Sequence, residues 1–296
     1  MNGVININKP SGMTSHDVVQ QARRILGEKR IGHTGTLDPL ATGVLVLCIG
    51  AATRIARYLE AGEKEYAAVM RLGITTDTLD AEGRVLETRV YAAPSREALA
   101  AAMRKFSGAI MQSPPAYSAV KISGVPSYKL ARQGKTEPNK ARPVTVHEIR
   151  LTAYDDPFVS IAVRCSKGVY IRSLCADIGN AVGAGSHVTS LQRTRSGSFT
   201  IAESVTLEEL AEMTAAGTLN KSVTTVDESL AGFPAVSLED ADAGRVSHGN
   251  RIVCPASCPN GDGVMVRLRD PAGNLLAVAR IDDGFLKPEL VFSSGS

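Results

Sequence analysis

The sequence predicts an α+β protein built on a mixed β-sheet. Residues 144–171 form consecutive strand-like runs with short breaks, so the regular alternation of strand and helix that a doubly wound parallel sheet requires is missing. Helical patterns occur near residues 95–106 and 172–182, between strand-like runs. Beyond Phe233 the pattern changes to short strands, which predicts a second, smaller β-rich domain.

The first predicted elements are a strand and a helix with clear end signals. Val4 to Ile7 predicts a short strand, and a helix is predicted from about Ser15 to Leu26. Thr14 and Asp17 have the three-residue spacing of a capping box at the start of that helix. Gly27 can adopt the left-handed conformation that ends many helices.

The later elements are mostly strands. Strand-like runs are found at residues 44–49, 65–72, 84–91, 144–154, 158–166 and 169–173. A second capping box, Thr206 with Glu209, predicts a helix that ends near Ala216. Residues 264–268 and 275–281 predict a hairpin, because a Pro-Ala-Gly-Asn turn joins two apolar runs.

The length of the chain allows two domains, each with a hydrophobic core. It has 296 residues, of which 44% are hydrophobic. We expect the first domain over residues 1–230, with a basic and poorly periodic insertion at about 114–142. A small β-rich domain is expected over residues 233–292.

The start of the chain and its hydropathy predict a cytoplasmic protein. No run of about eighteen apolar residues occurs. Residues 1–6 lack the charged and apolar regions of a signal peptide. We therefore expect no membrane association.

The five cysteines predict reduced thiols, since their number is odd and three lie in apolar or strand-like segments, namely Cys48, Cys165 and Cys175. Cys254 and Cys258, with His248 upstream, resemble the beginning of a zinc site. Structural zinc usually has four ligands with paired short spacings, so we predict a plain loop and no metal.

Positive charge is concentrated in the first two-thirds of the chain. Residues 1–200 carry 26 basic and 16 acidic residues, whereas residues 201–296 carry 7 and 14. Residues 111–150 carry seven basic residues among Pro, Gly, Ser and Tyr. Such a segment suits a phosphate backbone, although a solvated loop has the same composition. Residues 233–296, with six basic and eight acidic residues, have no basic footprint for RNA.

The glycine-rich segment from Gly32 to Gly43 predicts a reactive loop. Its glycines let another molecule approach the backbone closely. Pro39 restricts the residue before it, so the backbone of Asp38 has few conformations. The loop therefore presents one carboxylate, although an isolated Asp-Pro is more often part of an ordinary turn.

This loop resembles the catalytic loop of the TruB-type pseudouridine synthases, whose pattern is G-H-T/A-G-x-L-D-P-x-A-T/S-G. Further segments similar to that family occur in the family's order, at residues 8–15, 64–66, 112–121 and 168–174. The resemblance is strong over about the first two hundred residues and weak over about the last sixty. It implies a largely antiparallel sheet with flanking helices and a central cleft, followed by a small PUA-like domain.

The resemblance also implies an activity and a substrate. The expected reaction converts a uridine in the T arm of tRNA, conventionally position 55, into pseudouridine. Breaking the bond between uracil N1 and ribose and rejoining the ring through C5 requires no redox step, so no cofactor is expected. The expected enzyme is a standalone bacterial type, a monomer without an obligate protein partner, in which residues 114–142 contact the RNA.

Three residues receive catalytic roles by resemblance. Asp38 is the catalytic carboxylate, and it either adds to the substrate or abstracts a ribose proton; the sequence does not choose between these routes. Arg172 forms an ion pair with Asp38 and favours its charged form against the cost of desolvation. Without the motif, Arg172 would be assigned to the surface end of a strand. Tyr66 stacks on the uracil, and its hydroxyl is a candidate proton relay.

The resemblance also implies a substrate-binding set, which comprises Lys9, Pro10, His33, Lys121, Arg142, Tyr170 and Leu191. Lys9 and Pro10 brace the catalytic loop, and Leu191 lines the uracil pocket. His33 contacts the T loop while the base flips out of its stack.

Two other functions remain open on the residues alone. A glycosidase-like hydrolase would also break a bond at an anomeric carbon, but such enzymes need paired carboxylates, whereas the expected partner of Asp38 is Arg172. An RNA chaperone or a guide-RNA-dependent subunit would share the loop and the basic segment. The motifs of phosphate-binding loops, dinucleotide folds, serine hydrolases and zinc hydrolases do not occur.

Overall fold

Two β-sheets organise the chain. The structure is a computed structural model that describes residues 1–118, 120–122, 124–135 and 139–292, with backbone only at Lys121, Ile122, Pro126, Tyr128, Arg132 and Lys221. The larger sheet has nine strands and the smaller one five, and two two-stranded ribbons accompany them.

The strands before residue 201 belong to the larger sheet and the ribbons. They are β1 (Gly3–Lys9), β2 (Ile31–His33), β3 (Thr42–Ile49), β4 (Lys64–Leu72), β5 (Ile74–Thr76), β6 (Val85–Thr88), β7 (Gly108–Gln112), β8 (Lys121–Ile122), β9 (Val125–Pro126), β10 (Arg142–Asp155), β11 (Phe158–Cys165), β12 (Ser186–Ser196) and β13 (Phe199–Thr200). The helices of this part are α1 (Ser15–Leu26), α2 (Ala56–Glu60), α3 (Arg96–Arg104), α4 (Ser127–Arg132), α5 (Ile171–Ala181), α6 (Leu207–Ala215) and α7 (Val226–Ser229). Short 3-10 helices occur at Gly50–Ile55, Ile201–Glu203 and Leu219–Lys221.

The larger sheet is mixed and largely antiparallel, as predicted. Its main path runs β1-β3-β12-β4-β11-β10-β7, with β2 beside β3 and β13 beside β12. Within this sheet the β3–β12 pair is parallel and the other pairs are antiparallel. The parallel contact sets Arg193 beside Gly43 and therefore brings β12 next to the end of the glycine-rich loop.

The end signals of α1 act as predicted. The Thr14 hydroxyl accepts a hydrogen bond from the Asp17 amide at 3.1 Å, and the Asp17 carboxylate accepts one from the Thr14 amide at 2.9 Å. These contacts satisfy two amides that the helix leaves without partners. Gly27 ends the helix in the left-handed conformation with a φ of 63°.

Two predicted strands differ from the structure, and several strands, including the central strand β12, were not predicted. Residues 169–173 are not a strand: α5 begins at Ile171, and Tyr170 is its N-cap. The strand predicted at 84–91 is confined to Val85–Thr88. The central strand β12 escaped prediction because its sequence, SHVTSLQRTRS, has few apolar residues to mark a strand period.

Strand β3 is apolar on both faces because each face is covered. Leu45, Leu47 and Ile49 pack in the core together with residues of α1 and α5. Val44 and Val46 point to the opposite face, where they pack with the second sheet through residues such as Val278. This double burial explains the unbroken apolar run of the strand.

The C-terminal part is β-rich, as predicted. It contains β14 (Ala235–Ser237), α8 (Asp240–Ser247), β15 (Ile252–Val253), β16 (Met265–Arg269), β17 (Leu275–Asp282) and β18 (Phe285–Val291). Strands β16 and β17 form the predicted hairpin. Arg267 and Arg269 also hold the preceding segment, because both guanidinium groups contact the Asp227 carboxylate, at 2.9 and 2.5 Å.

The described helices are all too short or too polar to cross a membrane.

Candidate active site

A cavity of about 630 Å³ opens beside the glycine-rich loop. Its walls come from that loop, from β4 and β12, and from the segment that leads into α5. The predicted site residues that line it are Asp38, Tyr66, Arg142, Tyr170, Arg172 and Leu191. The lining does not include Lys9, Pro10 or His33. The side chain of Lys121 lies outside the described part of the chain.

The loop that carries Asp38 is held from both sides of that residue. The Ser15 hydroxyl accepts a hydrogen bond from the Leu37 amide at 2.8 Å and donates one to the Leu37 carbonyl at 3.1 Å. The Gly12 amide donates to the Pro39 carbonyl at 2.9 Å. The backbone next to Asp38 is therefore fixed to the start of α1 and the turn before it.

Lys9 braces the same loop from the interior. Its ammonium group is fully buried and donates to the carbonyls of Pro10, Pro39 and Ala41, at 2.8, 3.2 and 2.7 Å. Burial lowers the pKa of Lys9 from 10.5 to about 8, although the nearby Asp38 acts in the opposite direction. Lys9 therefore acts on the loop and does not face the cavity.

Arg172 is buried and joins four acceptors. One terminal nitrogen donates to the Asp38 carboxylate at 2.9 Å and to the Tyr117 carbonyl at 2.9 Å. The other donates to the Thr78 carbonyl at 2.6 Å and to the Asp80 carboxylate at 3.1 Å. The side chain is only 4% exposed, so the surface position expected without the motif is wrong. Arg172 lies in the first turn of α5, which aims it at the loop.

Asp80 is a member of this site that sequence reasoning missed. Its carboxylate is buried and also accepts from the Thr78 hydroxyl at 2.5 Å and the Glu82 amide at 3.1 Å. The preceding Leu79 has a φ of 62°, a left-handed conformation that is unusual for leucine and is found where surrounding contacts enforce it. Arg172 thus lies between two carboxylates.

The pKa of Asp38 is raised above its ordinary value. The main cause is burial of the carboxyl group, which disfavours the charged form. The Arg172 guanidinium opposes this effect, and the Asp80 charge strengthens it. Arg172 thus favours the charged form of Asp38, as expected, but the effect of burial on the pKa is larger.

Tyr66 lies on β4 directly opposite Arg193 of β12. Burial raises the pKa of its hydroxyl above the ordinary value, and the Arg193 charge partly offsets this rise. The ring is therefore neutral at physiological pH. Leu191 lies on β12 opposite Ala68 and is 5% exposed, so it adds an apolar surface to the same cavity.

The segment before α5 forms the opposite wall of the cavity. The Tyr170 amide donates to the Gln112 side chain at 2.8 Å, and the Gln112 amide group donates back to the Tyr170 carbonyl at 3.0 Å. The Arg142 guanidinium lies 5.3 Å from the centre of the Tyr170 ring. This arrangement fits a cation–π contact that positions both side chains.

His33 is not among the residues that line the cavity, and it lies at the end of β2, opposite Leu47. Burial and the positive charge of Arg193 lower its pKa below the ordinary value. The resemblance assigns His33 to substrate contact, and this role stays a prediction.

Positive charge predominates along the cavity. Its charged lining residues are the cations Lys64, Arg142, Lys167, Arg172 and Arg193 and the acids Asp38 and Glu60. Sequence reasoning assigned no role to Lys64, although it lies in a family-like segment, and it did not single out Lys167 or Arg193, since isolated basic residues carry no pattern of their own. The site combines a held carboxylate, a neutral aromatic ring and a cationic lining, which suits an anionic substrate with a flat ring.

Three protein-family models, each named by its description, together match almost all of the chain. The description "TruB family pseudouridylate synthase (N terminal domain)" matches residues 23–171. "tRNA pseudouridylate synthase B C-terminal domain" matches residues 172–231, and "Pseudouridine synthase II TruB, C-terminal" matches residues 234–292. The chain belongs to the TruB family of pseudouridylate synthases. It is thus a member of a family of enzymes, as the loop from Gly32 to Gly43 suggested.

Individual relatives of this TruB-family chain match over nearly their whole length. A protein of Thermobifida fusca (strain YX) named tRNA pseudouridine synthase B is 44% identical, with 98% of each chain covered. A protein of Burkholderia lata with the same name is also 44% identical, with 98% of this chain and 89% of that protein covered.

Solved structures match the fold over both parts of the chain. The crystal structure of a Cbf5-Nop10-Gar1 complex aligns with a TM-score of 0.78 at 28% identity, covering 98% of this chain and 85% of that one. The structure of an H/ACA RNP bound to a substrate RNA containing 2′-deoxyuridine aligns with a TM-score of 0.77 at 26% identity, with the same coverage.

Proposed function

We propose that this chain converts a uridine in the T arm of tRNA, position 55 by family resemblance, into pseudouridine. The observation that carries the proposal is the Asp38 carboxylate, held 2.9 Å from the buried Arg172 in a cavity that Tyr66 also lines. The names of the relatives from Thermobifida fusca and Burkholderia lata support tRNA as the substrate.

The proposed reaction follows from the groups in the cavity. The bond between uracil N1 and ribose C1′ breaks, and its electron pair stays on the uracil ring. The ring then rotates and C5 bonds to C1′; C5 loses its hydrogen as a proton and N1 carries one in the product, so composition is unchanged. Asp38 either adds to the ribose or removes a ribose proton to start the sequence. Arg172 orients the carboxylate, and Tyr66 stacks on the uracil while its neutral hydroxyl remains a candidate proton relay.

The target uridine must leave its stack before it can meet Asp38. Extrusion of a base costs roughly a few kcal/mol of stacking and pairing. The cavity volume of about 630 Å³ accommodates a nucleotide. Leu191 and Tyr170 supply ring-contacting surface, and Arg142 lies at the wall beside Tyr170. His33 is proposed to contact the T loop, outside this cavity.

The basic segment at residues 114–142 is proposed to contact the RNA backbone. Its described part includes the ribbon β8–β9 and the helix α4. Lys121 is included by resemblance. Lys64 and Lys167, at the cavity itself, add positive charge that suits a phosphate-rich partner.

The proposed domain division places catalysis in residues 1–230 and a small PUA-like domain in residues 233–292. The two sheets and the separate apolar cluster within the second one support this division. We propose a cytoplasmic monomer that works without an obligate protein partner.

The test is tritium release from a tRNA transcript labelled at uracil C5, since C5 must lose its hydrogen. We expect rapid release by the wild-type protein and none by Asp38→Asn. Asp177→Asn, on the exposed side of α5 and away from the cavity lining, is the matched control and should release label at the wild-type rate.

Two outcomes would contradict the proposal. Release by Asp38→Asn at the wild-type rate would remove the catalytic role of that carboxylate. No release by the wild-type protein, with tRNA binding intact, would instead favour an RNA chaperone or a guide-dependent subunit.

A further inference from the structure

Arg193 is one of the most deeply buried side chains in the protein, although it is charged. It is 1% exposed and lies on β12, opposite Tyr66 of β4 and beside Gly43 of β3. The same side chain lines the cavity that contains Asp38. It therefore lies between the strand that carries Tyr66 and the strand that follows the glycine-rich loop, at the wall of the cavity.

The guanidinium of Arg193 holds both ends of the catalytic loop. Its Nε donates to the Val44 carbonyl at 2.7 Å, and one terminal nitrogen donates to the Gly35 carbonyl at 3.1 Å. Asp38 lies in the segment between these two carbonyls. A planar group with donors in fixed directions fixes the separation of two acceptors more rigidly than a single ammonium does.

Close packing keeps this arrangement in place. A Cβ atom added to Gly43 would lie 2.3 Å from the Arg193 carbonyl oxygen, so β3 and β12 can approach only because residue 43 is glycine. Gly35 has a φ of 87° and Gly43 a φ of 95°, conformations that favour glycine at both ends of the loop. The two glycines allow the backbone conformation of the loop, and the hydrogen bonds from Arg193 stabilise that conformation.

The charge of Arg193 has no carboxylate partner within the described part of the chain. Two nearby arginines are paired with carboxylates: Arg172 contacts Asp38 and Asp80, and Arg195 contacts Glu65 at 2.8 Å. Burial of an unpaired charge is costly, and an apolar side chain would avoid that cost. The retained charge therefore indicates a role beyond packing.

We propose that Arg193 is a positioning residue for the isomerisation, an inference that rests on the proposed function. By donating hydrogen bonds to the Gly35 and Val44 carbonyls, Arg193 holds the Asp38 loop against β12 and at a fixed distance from Tyr66. A base that enters between the carboxylate and the ring then meets both groups in one geometry. Displacement of a reacting group by about 1 Å can lower a rate by about 100-fold. We therefore expect these hydrogen bonds to affect the rate of isomerisation more than the affinity for tRNA.

The test compares Arg193→Met, Arg193→Lys and the matched control Arg195→Met, which removes a cation two residues away on the same strand. Arg195 does not line the cavity. Tritium release is measured in single turnovers at saturating tRNA, and the dissociation constant for tRNA and the thermal unfolding of each variant are measured separately.

We expect Arg193→Met to lower the saturating rate by about 100-fold, with less than about a threefold change in tRNA affinity. Arg193→Lys should recover part of the rate, since it restores the charge and one donor direction. Arg195→Met should stay within about threefold of the wild-type rate.

Three results would overturn the inference. One is a folded Arg193→Met variant that reacts as fast as Arg195→Met. Another is a loss confined to tRNA affinity, which would make Arg193 a binding residue. The third is an Arg193→Lys variant as slow as Arg193→Met although both are folded, which would assign the loss to packing alone. A wild-type protein without tritium release would instead contradict the proposed function.

Discussion

Replacing Asp80 by asparagine tests whether Arg172 needs both of its carboxylates. The Asp80 and Arg172 side chains are 6% and 4% exposed, and their charged atoms lie 3.1 Å apart. At an effective dielectric constant of about 20, charges at this distance attract by about 5 kcal/mol before desolvation is subtracted. Asparagine keeps an oxygen for the Thr78 hydroxyl and the Glu82 amide, so only the contact with Arg172 is weakened.

We expect Asp80→Asn to lower the free energy of unfolding by about 1–3 kcal/mol, the usual cost of a buried donor left without its partner. The saturating rate of tritium release should fall by about 10–100-fold, because Arg172 loses one of the contacts that orient it toward Asp38. Urea unfolding and single-turnover kinetics measure the two effects.

The matched control is Asp77→Asn in the same turn. Asp77 accepts from the Arg84 amide at 2.9 Å, and the Arg84 side chain that it faces is largely exposed. If Asp80→Asn is folded and its rate lies within about threefold of the Asp77→Asn rate, Asp80 does not position Arg172 and the reasoning is refuted.

Two further predictions concern ionisation and the support of the loop. Burial raises the pKa of Asp38, so activity should disappear as the pH falls through a midpoint above about 4, the ordinary value for aspartate. The midpoint should be lower in Asp80→Asn, because that variant lacks a negative charge that raises the pKa of Asp38. Rate against pH in single turnovers measures both midpoints, and equal midpoints would contradict the coupling. Lys9→Met should lower the free energy of unfolding by about 2–4 kcal/mol, because three carbonyls of the loop region lose their donor. An unchanged urea midpoint would contradict this role for Lys9.

Local signals predicted the ends of elements well. The limits of α1 follow from Thr14, Asp17 and Gly27, and each of these residues acts through contacts with near neighbours in the sequence. The strand assigned to residues 169–173 was wrong because a residue distant in the sequence determines the local conformation. Val169, Tyr170 and Ile171 have high strand propensity, but the two hydrogen bonds between Tyr170 and Gln112 fix the segment as the start of a helix.

The site residues that belong to sequence motifs were predicted, whereas those outside the motifs were not. The loop pattern pointed to Asp38, and resemblance paired it with Arg172, which is 134 residues away in the chain. Asp80 was missed because Asp-Thr-Leu-Asp is an ordinary turn sequence, and its contact with Arg172 exists only after β4, β12 and α5 pack together. Arg193 was missed because its partners are backbone carbonyls, which leave no mark in a sequence.

The shared guanidinium changes how the Asp38 carboxylate can act. Asp38, Asp80 and Arg172 together carry one net negative charge, so Arg172 cannot fully neutralise Asp38. An arginine devoted to Asp38 alone would lower the pKa of that carboxylate and make it a weaker base and nucleophile. Asp80 binds the other side of the guanidinium. Burial is the main cause of the raised pKa of Asp38, and the Asp80 charge adds to it while Arg172 keeps Asp38 oriented. Under the proposed function, the second acid therefore lets one arginine hold the catalytic carboxylate in place without suppressing its reactivity.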